Sequence, residues 1–161
     1  MKNQKGFSLV ELLVVVIIIA IIAAIAIPSL LASRRAANEA SAVQSLRTYH
    51  SAQSTYQATN AARDYATTPA LLGNLVDNVL NGTVAGAGNP ITKSGYTLTM
   101  GGVAGAATAY CAGAAPTTPG STGTNYYGVS SGNGGVVVTD PATLGCNAAT
   151  GIMANAGTPV Q

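Results

Sequence analysis

Charge is what this chain has least of: 7% of its 161 residues are Asp, Glu, Lys or Arg. Tryptophan is absent, phenylalanine and histidine occur once each, and there are two cysteines. Each scarcity closes off a class of function. A nucleic-acid binder needs a clustered basic patch, and nothing after Arg35 forms one. A structural zinc site needs four ligands, more than Cys111, Cys146 and His50 supply. The acids Glu11, Glu39, Asp64, Asp77 and Asp140 are widely spaced, and no glycine-rich stretch ends in the Gly-Lys-Ser/Thr of a phosphate loop. This inventory argues against an enzyme and calls for no cofactor and no metal.

What the chain does have is unevenly placed. Residues 81–161 hold 17 of the 19 glycines and only two charges, Lys93 and Asp140. At the other end, every residue from Leu12 to Ile27 is apolar. With Phe7–Val10 the run covers 7–27, about 31 Å as a helix at 1.5 Å per residue, which matches a bilayer core. Glu11 lies near its start. A carboxylate there is costly unless a cation offsets it, and a newly created amine at Phe7 supplies one, in the same subunit or a neighbour.

Lys2 and Lys5 precede the run, and the segment that follows reads Gly6-Phe7-Ser8-Leu9-Val10-Glu11-Leu12-Leu13. It resembles the prepilin cleavage and methylation motif of type IV pilins and type II secretion pseudopilins. The resemblance is tight over 1–35, extends to about residue 60, and is loose beyond. It implies a cut after Gly6, N-methylation of Phe7, and an assembly role for Glu11. Pro28 matches a proline that such helices often carry, and it predicts a kink or loosening of the helix. Two readings compete. Ala24-Ile25-Ala26 has the A-x-A form of a secretory cleavage site, which predicts a soluble protein starting at Ile27. A plain single-pass anchor with an accidental Glu11 is the other. The run is long for a secretory signal and Glu11 interrupts it.

Arg34 and Arg35 balance Lys2 and Lys5 across the span, so charge alone does not orient it. The resemblance does: the leader is processed on the cytoplasmic face, which places the head outside. In an exported head, Cys111 and Cys146 are expected to form a disulfide, a closure of about 4 kcal/mol on the chain-entropy model. Major secretion pseudopilins commonly bind calcium in a C-terminal loop, but calcium favours six to eight oxygens and Asp140 is the only acid after residue 80.

The pattern predicts an α+β, pilin-like fold, a long N-terminal helix with a small antiparallel sheet. Its parts are a leader at 1–6, a transmembrane and filament-core helix at 7–28, an amphipathic helix at 29–62 and a head at 63–161. Residues 29–62 contain no Gly or Pro. Val43, Leu46, Tyr49, Gln53 and Tyr56 form one face, and Arg35 and Glu39 are spaced to pair. A second helix is predicted over 69–80, capped by Thr68 and ended by Asn81-Gly82. Strands are predicted at Tyr96–Met100, Ala106–Cys111, Tyr126–Val129 and Val136–Thr139, with a turn at Gly132–Gly135. Residues 113–125 read as an exposed loop whose Thr, Ser and Pro suit O-linked sugars.

The function this implies is a structural subunit of a type IV pilus-like extracellular filament, assembled from an inner-membrane pool with the head in the periplasm. A type II secretion pseudopilin is the alternative, and a non-polymerising anchored binding protein a further one. The partners implied are further copies of the chain, the prepilin peptidase and methylase, an assembly platform with its ATPase, and membrane lipid before assembly. No nucleic acid is expected on the isolated subunit.

Overall fold

The computed structural model describes residues 6–80, 90–102, 108–140, 146–147, 152–153 and 157–160. Lys2, Lys5, Asn81-Gly82 and Ala106-Ala107, on which some expectations rest, lie outside them. The chain divides into two compact units, Met1–Arg34 and Arg35–Gln161. Helix α1 spans Leu9–Thr59. It is followed by a 3-10 helix at Pro69–Leu75 and by eight strands among the described residues: β1 Ile91–Lys93, β2 Tyr96–Gly102, β3 Tyr110–Pro116, β4 Tyr126–Ser130, β5 Val138–Asp140, β6 Cys146–Asn147, β7 Ile152–Met153 and β8 Thr158–Pro159. The α+β expectation holds: a long N-terminal helix and an antiparallel six-stranded sheet, consistent with a pilin-like fold.

In the first unit α1 passes through Pro28 without interruption. Its apolar side chains find no cover there: Val14 is 48% exposed and Ile25 73%. In the second unit the same element buries Ala42, Val43, Ser45, Leu46, Tyr49, Ala52 and Gln53. These recur at steps of three and four residues, the spacing that aligns side chains along one helix face. Tyr56 is half-buried against the same core. The helix ends at Thr59, three residues before the predicted boundary.

The sheet order is β1-β2-β3-β4-β5-β8, with every neighbouring pair antiparallel. Strand β2 alternates in the manner of a half-covered strand, turning Tyr96, Leu98 and Met100 into the core and leaving Thr97 and Thr99 outward. These residues, with Ile91, Tyr110, Ala112, Ala114, Tyr127 and Val129, meet the buried face of α1 in one core. The β1–β2 hairpin turns through Ser94 and Gly95, both at positive φ, as a two-residue hairpin turn of the right twist demands. A second pairing, β6 with β7, lies against β3 and β4.

Several expectations are corrected. The helix predicted over 69–80 ends at Leu75 and is 3-10, with Gly73 at φ +49° inside it. Thr68 gives no side-chain cap; its carbonyl accepts instead from the Leu71 N–H at 3.2 Å. Beyond the helix, Asp77 Oδ1 accepts from the N–H groups of Val79 and Leu80 at 3.0 and 2.8 Å. A short acidic side chain competing for backbone donors in this way favours a turn over helix. The strand predicted at Ala106–Cys111 is instead Tyr110–Pro116, so Gly113–Pro116 belong to the sheet and not to a loop. Strand β5 begins at Val138, two residues late. The turn at Gly132–Gly135 is present, with Gly134 and Gly135 at φ +61° and +77°.

Candidate functional site

The candidate site is the entry to α1. Gly6, Phe7 and Ser8 precede the helix, and the Leu12 N–H donates to the Ser8 carbonyl at 3.3 Å to open the ladder. A side chain added at Gly6 would meet no atom within 4 Å. Packing therefore does not require glycine there. Phe7 is 84% exposed, more than any other large apolar residue described.

Glu11 lies in the first turn of α1, where the unpaired N–H groups give a partial positive charge that favours a carboxylate. Phe7, Glu11, Leu12 and Val15 line one shallow apolar depression, as the four-residue spacing of Phe7, Glu11 and Val15 dictates. Among the described residues α1 is long and apolar enough to cross a membrane by length and composition. No group of three metal-ligating side chains occurs among them.

Residues 1–27 match the family model described as the prokaryotic N-terminal methylation motif. The chain carries a prokaryotic N-terminal methylation motif. The motif is typical of type IV pilins and pseudopilins, and it implies leader processing by a prepilin peptidase. The motif together with the apolar helix points to membrane anchoring before assembly. No curated protein is similar enough to the chain to match it.

The other predicted residues sit in the second unit. Cys111 is buried on β3, at 1% exposure; Cys146 opens β6. His50 is half-buried and hydrogen-bonds through Nδ1 to the Tyr110 hydroxyl. Tyr110 also packs edge-on to Tyr49 and Tyr65, with ring centroids at 5.9 and 4.8 Å. A side chain at Gly135 would strike the His50 ring. The histidine is thus an element of packing, walled by aromatics and backbone.

Glu39 is the residue whose role the sequence did not disclose. It makes no ion pair with Arg35. Oε1 accepts from the Thr124 N–H at 2.8 Å and the Thr124 hydroxyl at 3.0 Å. Oε2 accepts from Asn125 Nδ2 at 3.3 Å and the Tyr127 hydroxyl at 3.1 Å. Burial pushes its carboxyl up, but these donors outweigh burial and hold it below the usual carboxylate value. One residue earlier, Asn38 Nδ2 donates to the Thr122 carbonyl at 2.9 Å. The segment 117–125, expected as a free loop, is therefore exposed over Thr117–Ser121 and tied to α1 at its far end. Partners 85 residues apart in the chain leave no local signal.

Proposed function

We propose that this protein is a structural subunit of a type IV pilus-like filament. The observation that carries the reading is a methylation motif opening a helix whose large apolar residues are solvent-exposed throughout the first unit. Such a surface has to be covered by lipid or by copies of itself.

Phe7–Ile27 lies in the inner membrane with the head in the periplasm. Hydrolysis of the Gly6–Phe7 peptide bond, with water supplying the hydroxyl to Gly6 and the proton to the amine, frees the Phe7 α-amine; a methyl-donor cosubstrate of the methylase then gives its methyl group to that nitrogen, which releases a proton. The methylated amine keeps its positive charge. Glu11 of one subunit attracts the amine of the next, and the low dielectric of a helix bundle strengthens that attraction. An assembly platform with its ATPase draws subunits from the membrane into a homopolymer displayed outside the cell, and Pro28, which removes one helix hydrogen bond, lets the core helix bend or loosen as it packs. In the head, Cys111 and Cys146 form a disulfide; the burial of Cys111, the absence of a free cysteine among the described residues, and β6 lying against β3 all support the pairing.

The same motif serves pseudopilins, so a type II secretion pseudopilin is the alternative. Mass spectrometry of the N-terminal peptide from filaments sheared off cells separates the readings. A peptide starting at N-methylated Phe7 in that fraction is the expected result. A Phe7 start confined to the inner membrane, with exoprotein secretion lost on deletion, favours the pseudopilin. A start at Ile27 overturns both. Glu11→Ala is expected to be processed at Gly6 yet to yield no filaments.

A further inference from the structure

The sequence beyond the apolar run reads Leu30-Leu31-Ala32-Ser33-Arg34-Arg35. Glu39, one helical turn past Arg35, would be the natural partner of that guanidinium. It is already committed, both oxygens accepting from Thr124, Asn125 and Tyr127. Arg35 Nε is shut off from water and has no acceptor. A shielded donor left in that state is costly. Arg34 is exposed and enters no ion pair among the described residues, where the pair present is Lys93–Asp77. Arg34 therefore keeps its donors for an anion outside the chain; Arg35, half-buried, makes no ion pair either, but its shielded Nε is not a group that such an anion reaches. A planar fork of N–H groups matches a phosphate in two-point geometry.

Their place in the sequence says which phosphate. From Ile27, where a span starting at Phe7 has crossed about 31 Å, to Arg34 is seven residues, or about 10 Å of helix. Helical Cα–Cβ bonds tilt toward the N-terminus, so the long arginine side chain reaches back along the helix, as snorkelling residues do. That returns the guanidinium to the headgroup layer, which adds about 5–7 Å on each side of the hydrocarbon.

We infer that Arg34 and Arg35 bind the phosphate of an anionic phospholipid headgroup where the helix leaves the membrane, holding the waiting subunit at a fixed depth. The inference rests on the membrane-anchored reading above.

Native mass spectrometry of the full chain in non-ionic detergent tests it, with phosphatidylglycerol, phosphatidylcholine or inorganic phosphate added. Wild-type protein is expected to retain phosphatidylglycerol over phosphatidylcholine, and Arg34→Gln/Arg35→Gln to lose about five-fold of that preference per arginine. Lys2 and Lys5 are present in both proteins, so the difference belongs to the arginines. Arg34→Lys/Arg35→Lys keeps the charge and is expected to hold part of the preference, and an unchanged thermal melt of the head guards against misfolding. An unchanged preference in the double Gln variant overturns the inference, as does equal retention of the two lipids. Competition by inorganic phosphate as strong as that by phosphatidylglycerol makes the ligand free phosphate and also overturns it. So does a double Gln variant that keeps the lipid but makes no filaments, because the arginines then serve contact with a second copy. Failure of the full chain to enter phosphatidylcholine vesicles at all would instead strike the anchored reading.

Discussion

Ile18 and Leu46 belong to one helix and differ by the position of a methyl group, yet Ile18 is 51% exposed and Leu46 is at 0%. The helix residues around Leu46 are patterned, with apolar positions on one side and Gln44, Arg47 and Ser51 on the other. Around Ile18 there is no polar side at all. A helix apolar on every side has no face to give to solvent. The sheet covers one side of the second region, and nothing within the described residues covers the first. A single helix thus holds two solutions to burial, one completed within the chain and one deferred to its surroundings.

The sharpest way to break the comparison is to make the same truncation in both places. Leu46→Ala is expected to cost the head about 2–5 kcal/mol, the range for a buried leucine whose cavity only partly collapses. Ile18→Ala is expected to leave head unfolding unchanged within about 0.5 kcal/mol, as for exposed sites generally. Thermal melts of the full chain in detergent, followed by near-ultraviolet tyrosine signals, check both. Equal losses would mean that the first region is packed within the chain after all.

Gln53 sharpens the comparison from the polar side. It is wholly buried, donates to the Tyr49 hydroxyl at 2.8 Å and the Ala66 carbonyl at 3.0 Å, and accepts from the Ala66 N–H at 2.8 Å. Burial pushes the Tyr49 hydroxyl up to about 12, and the hydrogen bond from Gln53 opposes that rise only in part. One amide thereby pairs both backbone groups of the chain as it turns away from the helix end. Gln53→Leu keeps the volume but orphans those groups, each costing about 1–3 kcal/mol. Urea denaturation is expected to report a lower midpoint with the slope unchanged. A midpoint equal to wild type would show that water reaches Ala66.

Residue chemistry made the first region legible and only part of the second. Gly6, Phe7 and Glu11 form a contiguous motif, and the apolar run has no competing reading as strand or loop. The buried face of α1 was readable because its period is local. The sequence points to β3 four residues early because Ala, Gly and Thr across 103–116 carry little alternation to fix a register. The segment 69–80 carries a stripe of leucines and valines that reads as helix, but Gly73 and Asp77 divert the backbone. Gln53 stood on the predicted face, while its partner lay 13 residues away, beyond any helical spacing.

Glu39 tests how the second region holds its outermost segment. Its folded value is depressed, so its stabilising contribution is present above the ordinary carboxylate value near 4.5 and is lost as pH falls through the lower folded value. Stability of the head is expected to fall with acid below about pH 4.5, and Glu39→Gln to flatten that fall while weakening the anchoring of 122–127. Hydrogen exchange at the Thr124 amide, whose proton Glu39 holds, reads the anchoring directly. Unchanged protection in Glu39→Gln would mean that Asn38 alone suffices.

The smallest effect belongs to the Lys93–Asp77 ion pair, at 2.6 Å with side chains 28% and 50% exposed. Such pairs contribute about 0–1 kcal/mol because water and salt screen them and two mobile side chains must be fixed. Asp77 does more than Lys93 does, since its other oxygen holds the Val79 and Leu80 N–H groups and so turns Leu80 into the core. Burial pushes the Asp77 carboxyl up, but the Lys93 ammonium and those two N–H groups bring it below its ordinary value. Lys93→Ala is accordingly expected to cost a few tenths of a kcal/mol, vanishing in about 0.5 M salt. Asp77→Ala is expected to cost about 1 kcal/mol more, as for a lost cap, and to keep that cost in salt. A salt-sensitive loss of equal size in both variants would make the ion pair, and not the backbone capture, the feature that seats Leu80.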